Sequence, residues 1–164
     1  MAKKSIQLKD AVEGYIVRCR TKGYSDRTLE WYEQKLHCFC TYMLEQQGIK
    51  DLKAVTLFHI RAFVIYVQGI KSRKNKKISD LTVKGYVQVV KGFFSWCINE
   101  ELLKDNPALK LERPKVGNYV ISTFTQEEIK TLLAVCDLKT ERGYRDYTIM
   151  LLLLDTGIRV SELC

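Results

Sequence analysis

Proline is scarce in this chain, with two in 164 residues. A proline inside a helix removes a hydrogen bond and collides with the preceding turn, so the scarcity leaves long helices open. Long apolar runs are missing too: the longest, Ile149 to Leu154, falls far short of the roughly 20 residues that cross a bilayer. No apolar leader follows Met1-Ala2-Lys3-Lys4-Ser5. Six cysteines, at 19, 38, 40, 97, 136 and 164, lack the paired spacing of a zinc ribbon or a redox motif. Cys38 and Cys40 point roughly 200° apart on a helix, which keeps them from one metal. Reduced thiols in a cytoplasm are therefore expected. His37 and His59 are the only histidines; neither begins a His-x-x-Arg pair, and both read as surface or boundary positions without a catalytic role.

What is present is an ordinary soluble composition with a cationic excess. Hydrophobic residues make up 46% and charged residues 28%, too apolar for a disordered chain. The formal net charge of +8 ranks nucleic acid first among partners and an acidic membrane surface second.

Apolar residues recur at helical spacing almost throughout. Leu8, Val12, Tyr15, Ile16 and Cys19 line a first helix that Gly23 can stop. A second opens at Ser25, carries Leu29, Tyr32, Leu36, Phe39, Cys40 and Met43, and ends near Gly48. Thr56 can cap a third, striped by Ile60, Phe63, Val64 and Val67. A fourth begins near Ser79 or Asp80, presents Val83, Val87, Val90, Phe94, Cys97 and Ile98, and must end before Asn106-Pro107. None can bury its stripe alone, so residues 5–101 predict an all-α, four-helix bundle. Residues 102–121 read as a linker, since the stretch from Lys110 holds Pro114, Gly117 and charges but no stripe. Within 122–164, Thr125-Gln126-Glu127-Glu128 is a capping box, and a further helix follows Tyr144-Arg145-Asp146. Its run Ile149 to Leu154 is apolar on every side and needs cover all round, so 122–164 is expected to be an incomplete second domain.

Three constellations bear on chemistry. Between Lys71 and Lys91 lie seven Lys or Arg against one acid, Asp80. The loop supplies Lys71, Arg73, Lys74, Lys76 and Lys77, and the helix after it carries Lys84, Gln88, Lys91 and Ser95 on one face. Such a face suits a DNA major groove, with loop lysines on phosphates and Gln88 or Lys91 at base edges; an ordinary solvated face is the plainer alternative. Gly85 and Gly92 lie nearly on the same side, where they either permit close approach of DNA or another helix or are simply tolerated locally. At the second helix, Ser25, Arg27 and Thr28 stand where free N–H groups hold phosphate, although capping alone explains Ser25. Lys35, farther along, reads as surface. The third is Asp155-Thr156-Gly157-Ile158-Arg159-Val160-Ser161-Glu162-Leu163, where a helix closes at a glycine and Arg159 follows, three residues before Glu162.

The Thr156-to-Leu163 stretch resembles the first catalytic-arginine motif of tyrosine recombinases of the phage-integrase family. Ser25-x-x-Thr28-x-x-x-Tyr32, the segment Leu81 to Ile98 ending Phe94-Ser95-Trp96-Cys97-Ile98, the exit Asn106-Pro107-Ala108 and the entry Phe124-Thr125-x-x-Glu128 are similar to that family in the same order. The resemblance implies a SAM-like core-binding domain over 5–101 and the start of a catalytic domain over 122–164, together clasping double-stranded DNA as a clamp. It implies that Arg159 neutralises charge on a pentacoordinate phosphorus, where its planar fork donates two hydrogen bonds, with Glu162 in support. A tyrosine nucleophile keeps the bond energy as a phosphotyrosine, so no metal or nucleotide is called for. Assembly of the complete parent as a tetramer on paired sites is implied as well.

The departure lies downstream. The family's lysine, His-x-x-Arg motif, later His or Trp and nucleophilic tyrosine would all follow Arg159, and none of the nine tyrosines does. The expectation is a fragment that binds DNA in the cytoplasm without cleaving it. The rival readings are a stand-alone helical DNA-binding regulator, which leaves Arg159 unexplained, and a helical protein-interaction module, which leaves the cationic stripe unexplained as well.

Overall fold

The structure, a computed structural model, describes residues 5–71, 75–115, 117 and 122–163, and its named elements are all helical. Two compact units divide the chain, Met1–Gly117 and Asn118–Cys164. The first holds α1 (Leu8–Thr21), α2 (Asp26–Glu45), α3 (Leu57–Gly69) and α4 (Asp80–Asn99), with a 3-10 turn at Leu52–Ala54. Each of the last three long helices starts where a short hydroxyl side chain accepts an otherwise unpaired N–H. Ser25 accepts from Thr28, Thr56 from His59 and Ser79 from Thr82, each cap contributing about 1 kcal/mol. His59 Nδ1 in turn accepts from the Thr56 N–H at 3.2 Å, completing a capping box and giving that histidine a structural task.

α4 packs on α1, α2 and α3, as α2 packs on α1, α3 and α4. A helix with three neighbours buries more than one stripe, so Val89, Phe93 and Trp96 are buried along with Val83, Val87, Val90, Phe94 and Cys97. Edge-on aromatic pairs fill the joints: Tyr15 on Phe93 at 5.8 Å, Phe39 on Phe63 at 5.0 Å and Phe39 on Phe94 at 6.0 Å between ring centroids. The glycines of α4 are explained here. A Cβ at Gly92 would stand 3.1 Å from the Tyr15 hydroxyl, and one at Gly85 would stand 3.1 Å from Trp31 Cζ2. Of the two uses open to these glycines in the sequence, both serve contact with a neighbouring helix.

The segment after α4 does not behave as a linker from its start. Glu101 takes φ 55 and turns the chain back, and Leu102 donates its N–H to the Cys97 carbonyl at 2.9 Å. The Asn106 side chain accepts from the Ala108 N–H at 2.8 Å. This folding buries Ala108 and Leu111 and half-buries Leu102 and Leu103 against the bundle. Irregular turns deliver single apolar residues without any period, which is why pattern reading passed over them.

The second unit holds α5 (Gln126–Ala134), α6 (Glu141–Thr156) and α7 (Val160–Leu163). The Thr125–Glu128 capping box forms as read. α6 begins earlier than the sequence reading placed it, because Thr140 accepts from the Gly143 N–H at 3.0 Å and starts the helix. Gly157, at φ 66, closes it by donating to the Leu153 carbonyl. None of the described residues in this unit is buried, and Leu151, Leu152 and Leu154 stay 40 to 45% exposed.

Candidate nucleic-acid interface

The basic loop between α3 and α4 has a closed base. Ile78 donates its N–H to the Ile70 carbonyl at 3.2 Å, and Lys71 pairs with Lys77 in an antiparallel bridge. Asn75 supplies the left-handed turn at φ 55. Lys71, Lys76 and Lys77 are all exposed on this hairpin, whereas Arg73 and Lys74 lie outside the described residues. Two residues after Ile78, α4 begins, so the hairpin delivers its charge beside the first turn of that helix.

Along α4 the four polar positions have different fates. Gln88 and Ser95 are exposed and Lys84 is half-buried. Lys91 donates from Nζ to the Leu111 carbonyl at 2.7 Å. That bond ties the exit segment to α4 and engages one donor of the ammonium within the protein. At the start of α2, the Ser25 and Thr28 hydroxyls lie 2.9 Å apart, and Arg27 is exposed without an ion pair among the described residues. Capping thus accounts for Ser25, and Arg27 is the free cation of that turn.

Lys35 is not a surface residue. It is 5% exposed, with Nζ 4.2 Å from the Trp31 ring centroid and 5.1 Å from that of Tyr86. Desolvation lowers its pKa from the ordinary lysine value, and the neighbouring Cys38 thiol acts weakly in the other direction. Gly85 makes room for it: a Cβ there would stand 3.3 Å from Lys35 Cε. Trp31 and Lys35, four apart on α2, therefore share a face, a spacing visible in the sequence; what was not visible is that α4 covers it.

Cys38 and Cys40 diverge as the helical spacing requires. Cys38 faces Lys35 and Tyr86, with its pKa raised by burial, while burial pushes the Cys40 thiol up to about 12 in the neighbourhood of Lys9.

In the second unit, Arg159 immediately precedes α7. Glu162 accepts the Arg159 backbone N–H at 2.7 Å and reaches Nη1 of the same residue at 3.4 Å. The guanidinium is 82% exposed, so the ion pair adds little stability and leaves the fork free to bind an anion. One carboxylate thus fixes the backbone and leans on the side chain of the same arginine.

No family model matches the chain. It is similar to the tyrosine recombinase XerC of Bacillus pumilus (strain SAFR-032), 32% identical over 145 residues, which cover 87% of this chain and 45% of that protein. It is also similar to the tyrosine recombinase XerD of Listeria innocua serovar 6a, 28% identical over 142 residues, 87% of this chain and 46% of that protein. The chain spans about half the length of the curated relatives it matches. Two solved structures share the fold. The N-terminal domain of a phage integrase/site-specific recombinase from Haloarcula marismortui aligns with a TM-score of 0.57 at 16% identity, over 68% of this chain and all of that one. A lambda integrase dimer bound to a COC' core site aligns with a TM-score of 0.62 at 16% identity, over 84% of this chain and 36% of that one. The chain belongs to the tyrosine recombinase, or phage integrase, family.

Proposed function

We propose that this chain is the DNA-gripping portion of a site-specific tyrosine recombinase that integrates or excises a mobile element. Residues 5–101, extended by the packed segment to Leu111, act as the core-binding domain, and residues from 122 begin the catalytic domain. The observation that carries this reading is the exposed cationic hairpin with Lys71, Lys76 and Lys77, set beside the first turn of α4, whose polar face bears Lys84 and Gln88. Ser25, Arg27 and Thr28 at the start of α2 add a second phosphate contact, and Arg73 and Lys74, between Lys71 and Lys77 in the sequence, add further positive charge. Duplex DNA is the partner. The whole recombinase works as a homo-oligomer on paired sites in the cytoplasm, and no described helix is long and apolar enough to cross a membrane.

Arg159 supplies charge neutralisation at the scissile phosphate. Its donors act there only when a nucleophile is positioned to attack and an acid to protonate the leaving oxygen. Tyr15 is a poor substitute, being buried between Phe93 and Trp96 with its ionisation strongly opposed by burial. The 164-residue chain by itself is therefore expected to bind DNA and leave it intact.

A mobility-shift titration of a duplex at several salt concentrations tests the binding. Replacing Lys71, Lys76 and Lys77 with glutamine should weaken binding across sequences and flatten the slope of log K against log salt by up to roughly three. An unchanged slope would reject the hairpin as a phosphate contact. For cleavage, a nicked suicide duplex should give no denaturation-resistant adduct; an adduct lost on Tyr-to-Phe replacement would reject the inactive reading.

A further inference from the structure

A groove of about 440 Å³ runs between the N-terminal halves of α2 and α4, lined by Trp31, Lys35, Leu81, Thr82, Lys84, Gly85 and Gln88. Two of these seven are lysines and none is a carboxylate. At its inner wall the Lys35 side chain is 5% exposed, and its partly desolvated ammonium takes part in no ion pair among the described residues and lies over the faces of Trp31 and Tyr86, with the Cys38 thiol nearby. Removing an ammonium from water is unfavourable unless an opposite charge replaces the lost hydration, and ring faces replace only part of it. A protein under pressure for stability alone would carry an apolar residue at this point. The charge is instead retained, aimed into a groove with a second lysine and with the hydroxyl of Thr82 and the amide of Gln88 as further donors.

We propose that this groove seats one backbone phosphate of duplex DNA, with the partly desolvated Lys35 ammonium as its counter-charge and Lys84, Thr82 and Gln88 at its rim. The proposal rests on the DNA-binding reading above and adds a specific anchor to it. The rings of Trp31 and Tyr86 fix the direction of a side chain that would otherwise have four free torsions, so little rotamer freedom is left to lose on binding. Gly85 is the enabling residue on α4, since any side chain there would press on both Trp31 and Lys35. A phosphodiester suits the site better than an isolated anion, because the groove is open and the cationic hairpin leads into the helix that forms one wall of it.

The test uses Lys35→Met, which keeps length and packs against rings through its thioether, beside the wild-type chain and the hairpin triple mutant. With Lys35→Met, duplex binding should fall about tenfold and the salt slope by roughly one, while the thermal midpoint stays the same or rises, because a partly desolvated, unneutralised charge has gone. Lys35→Arg, retaining the charge, should recover part of the binding. In nuclear magnetic resonance, the indole N–H of Trp31 should shift on adding a short duplex and far less on adding inorganic phosphate, and that of Trp96, bonded to Glu100 at 3.1 Å, should stay in place. If Lys35→Met lowers the midpoint but leaves the affinity and slope untouched, Lys35 is structural and the proposal falls, although the hairpin can still bind DNA. A Trp31 shift with phosphate and none with duplex also overturns it. Failure of the wild-type chain to bind any duplex would bring down the wider reading together with this one.

Discussion

Stability is expected to reside almost wholly in the first unit, and a pair of leucines tests this. Leu111 is 5% exposed and sits in a segment without secondary structure, whereas Leu151 is 40% exposed in the middle of the sixteen-residue helix α6. By pattern alone Leu151 looks the more important. Truncating Leu111 to alanine removes about three buried carbon groups, roughly 2 kcal/mol of transfer free energy at about 0.8 kcal/mol per methylene, and leaves a void that adds to the loss. The Lys91 bond to the Leu111 carbonyl uses main chain and survives the change, so an overall cost of about 2 to 3 kcal/mol is expected. In a domain of this size that corresponds to a fall in midpoint of about 10 to 20 °C. The same truncation at Leu151 should cost under about 0.5 kcal/mol, as for other exposed positions. Urea unfolding followed by tryptophan fluorescence, with Trp96 8% exposed in the first unit's core, gives the Leu111→Ala value, and far-ultraviolet circular dichroism, which also sees α6, gives the Leu151→Ala value, with the slope as a control for compactness. A Leu111→Ala variant within about 0.5 kcal/mol of wild type would refute the claim that the exit segment is part of the bundle.

Burial pushes the Cys97 thiol from 9.0 up to about 12. The folded state then holds a proton that the unfolded state releases, so this contribution is full below pH 9 and declines as pH rises toward 12, by about 1.4 kcal/mol per unit. Cys97→Ser should blunt that alkaline loss in unfolding curves measured from pH 8 to 11; an unaltered profile would argue against it. Gly157→Ala, at φ 66, should cost about 1 kcal/mol within the second unit only, seen as faster amide exchange around Ile158 and Arg159 with no change in the first. Gly85→Ala should lower the thermal midpoint and weaken the ring contacts on Lys35, read as a shift of the Trp31 indole signal; an alanine accommodated without either effect would mean that the two helices are not held together there.

Helix positions were legible because they depend on local chemistry. Ser25, Thr56, Ser79 and Thr125 each offer a hydroxyl to an N–H within the next turn, and Gly23 and Gly157 adopt left-handed conformations that favour glycine. The stripes named the core in the same way, since a residue three or four positions on lies on the same face whatever packs against it. The Arg159–Glu162 pair was readable for the same reason, being one turn of chain.

Other features depend on which elements meet. Lys35 has the spacing of a surface lysine until α4 lies over it with glycine at position 85. Lys91 sits on the polar stripe until the carbonyl of Leu111, twenty residues away, returns to it. Leu111 carries no period at all, because a turn rather than a helix brings it to the core. By itself the sequence determined the helices, their caps, their apolar faces and the cationic excess, all set by interactions within a turn or by composition. Only the tertiary structure decided which charges are free and which are engaged, because desolvation and long-range hydrogen bonds are properties of the assembled surface rather than of neighbouring residues.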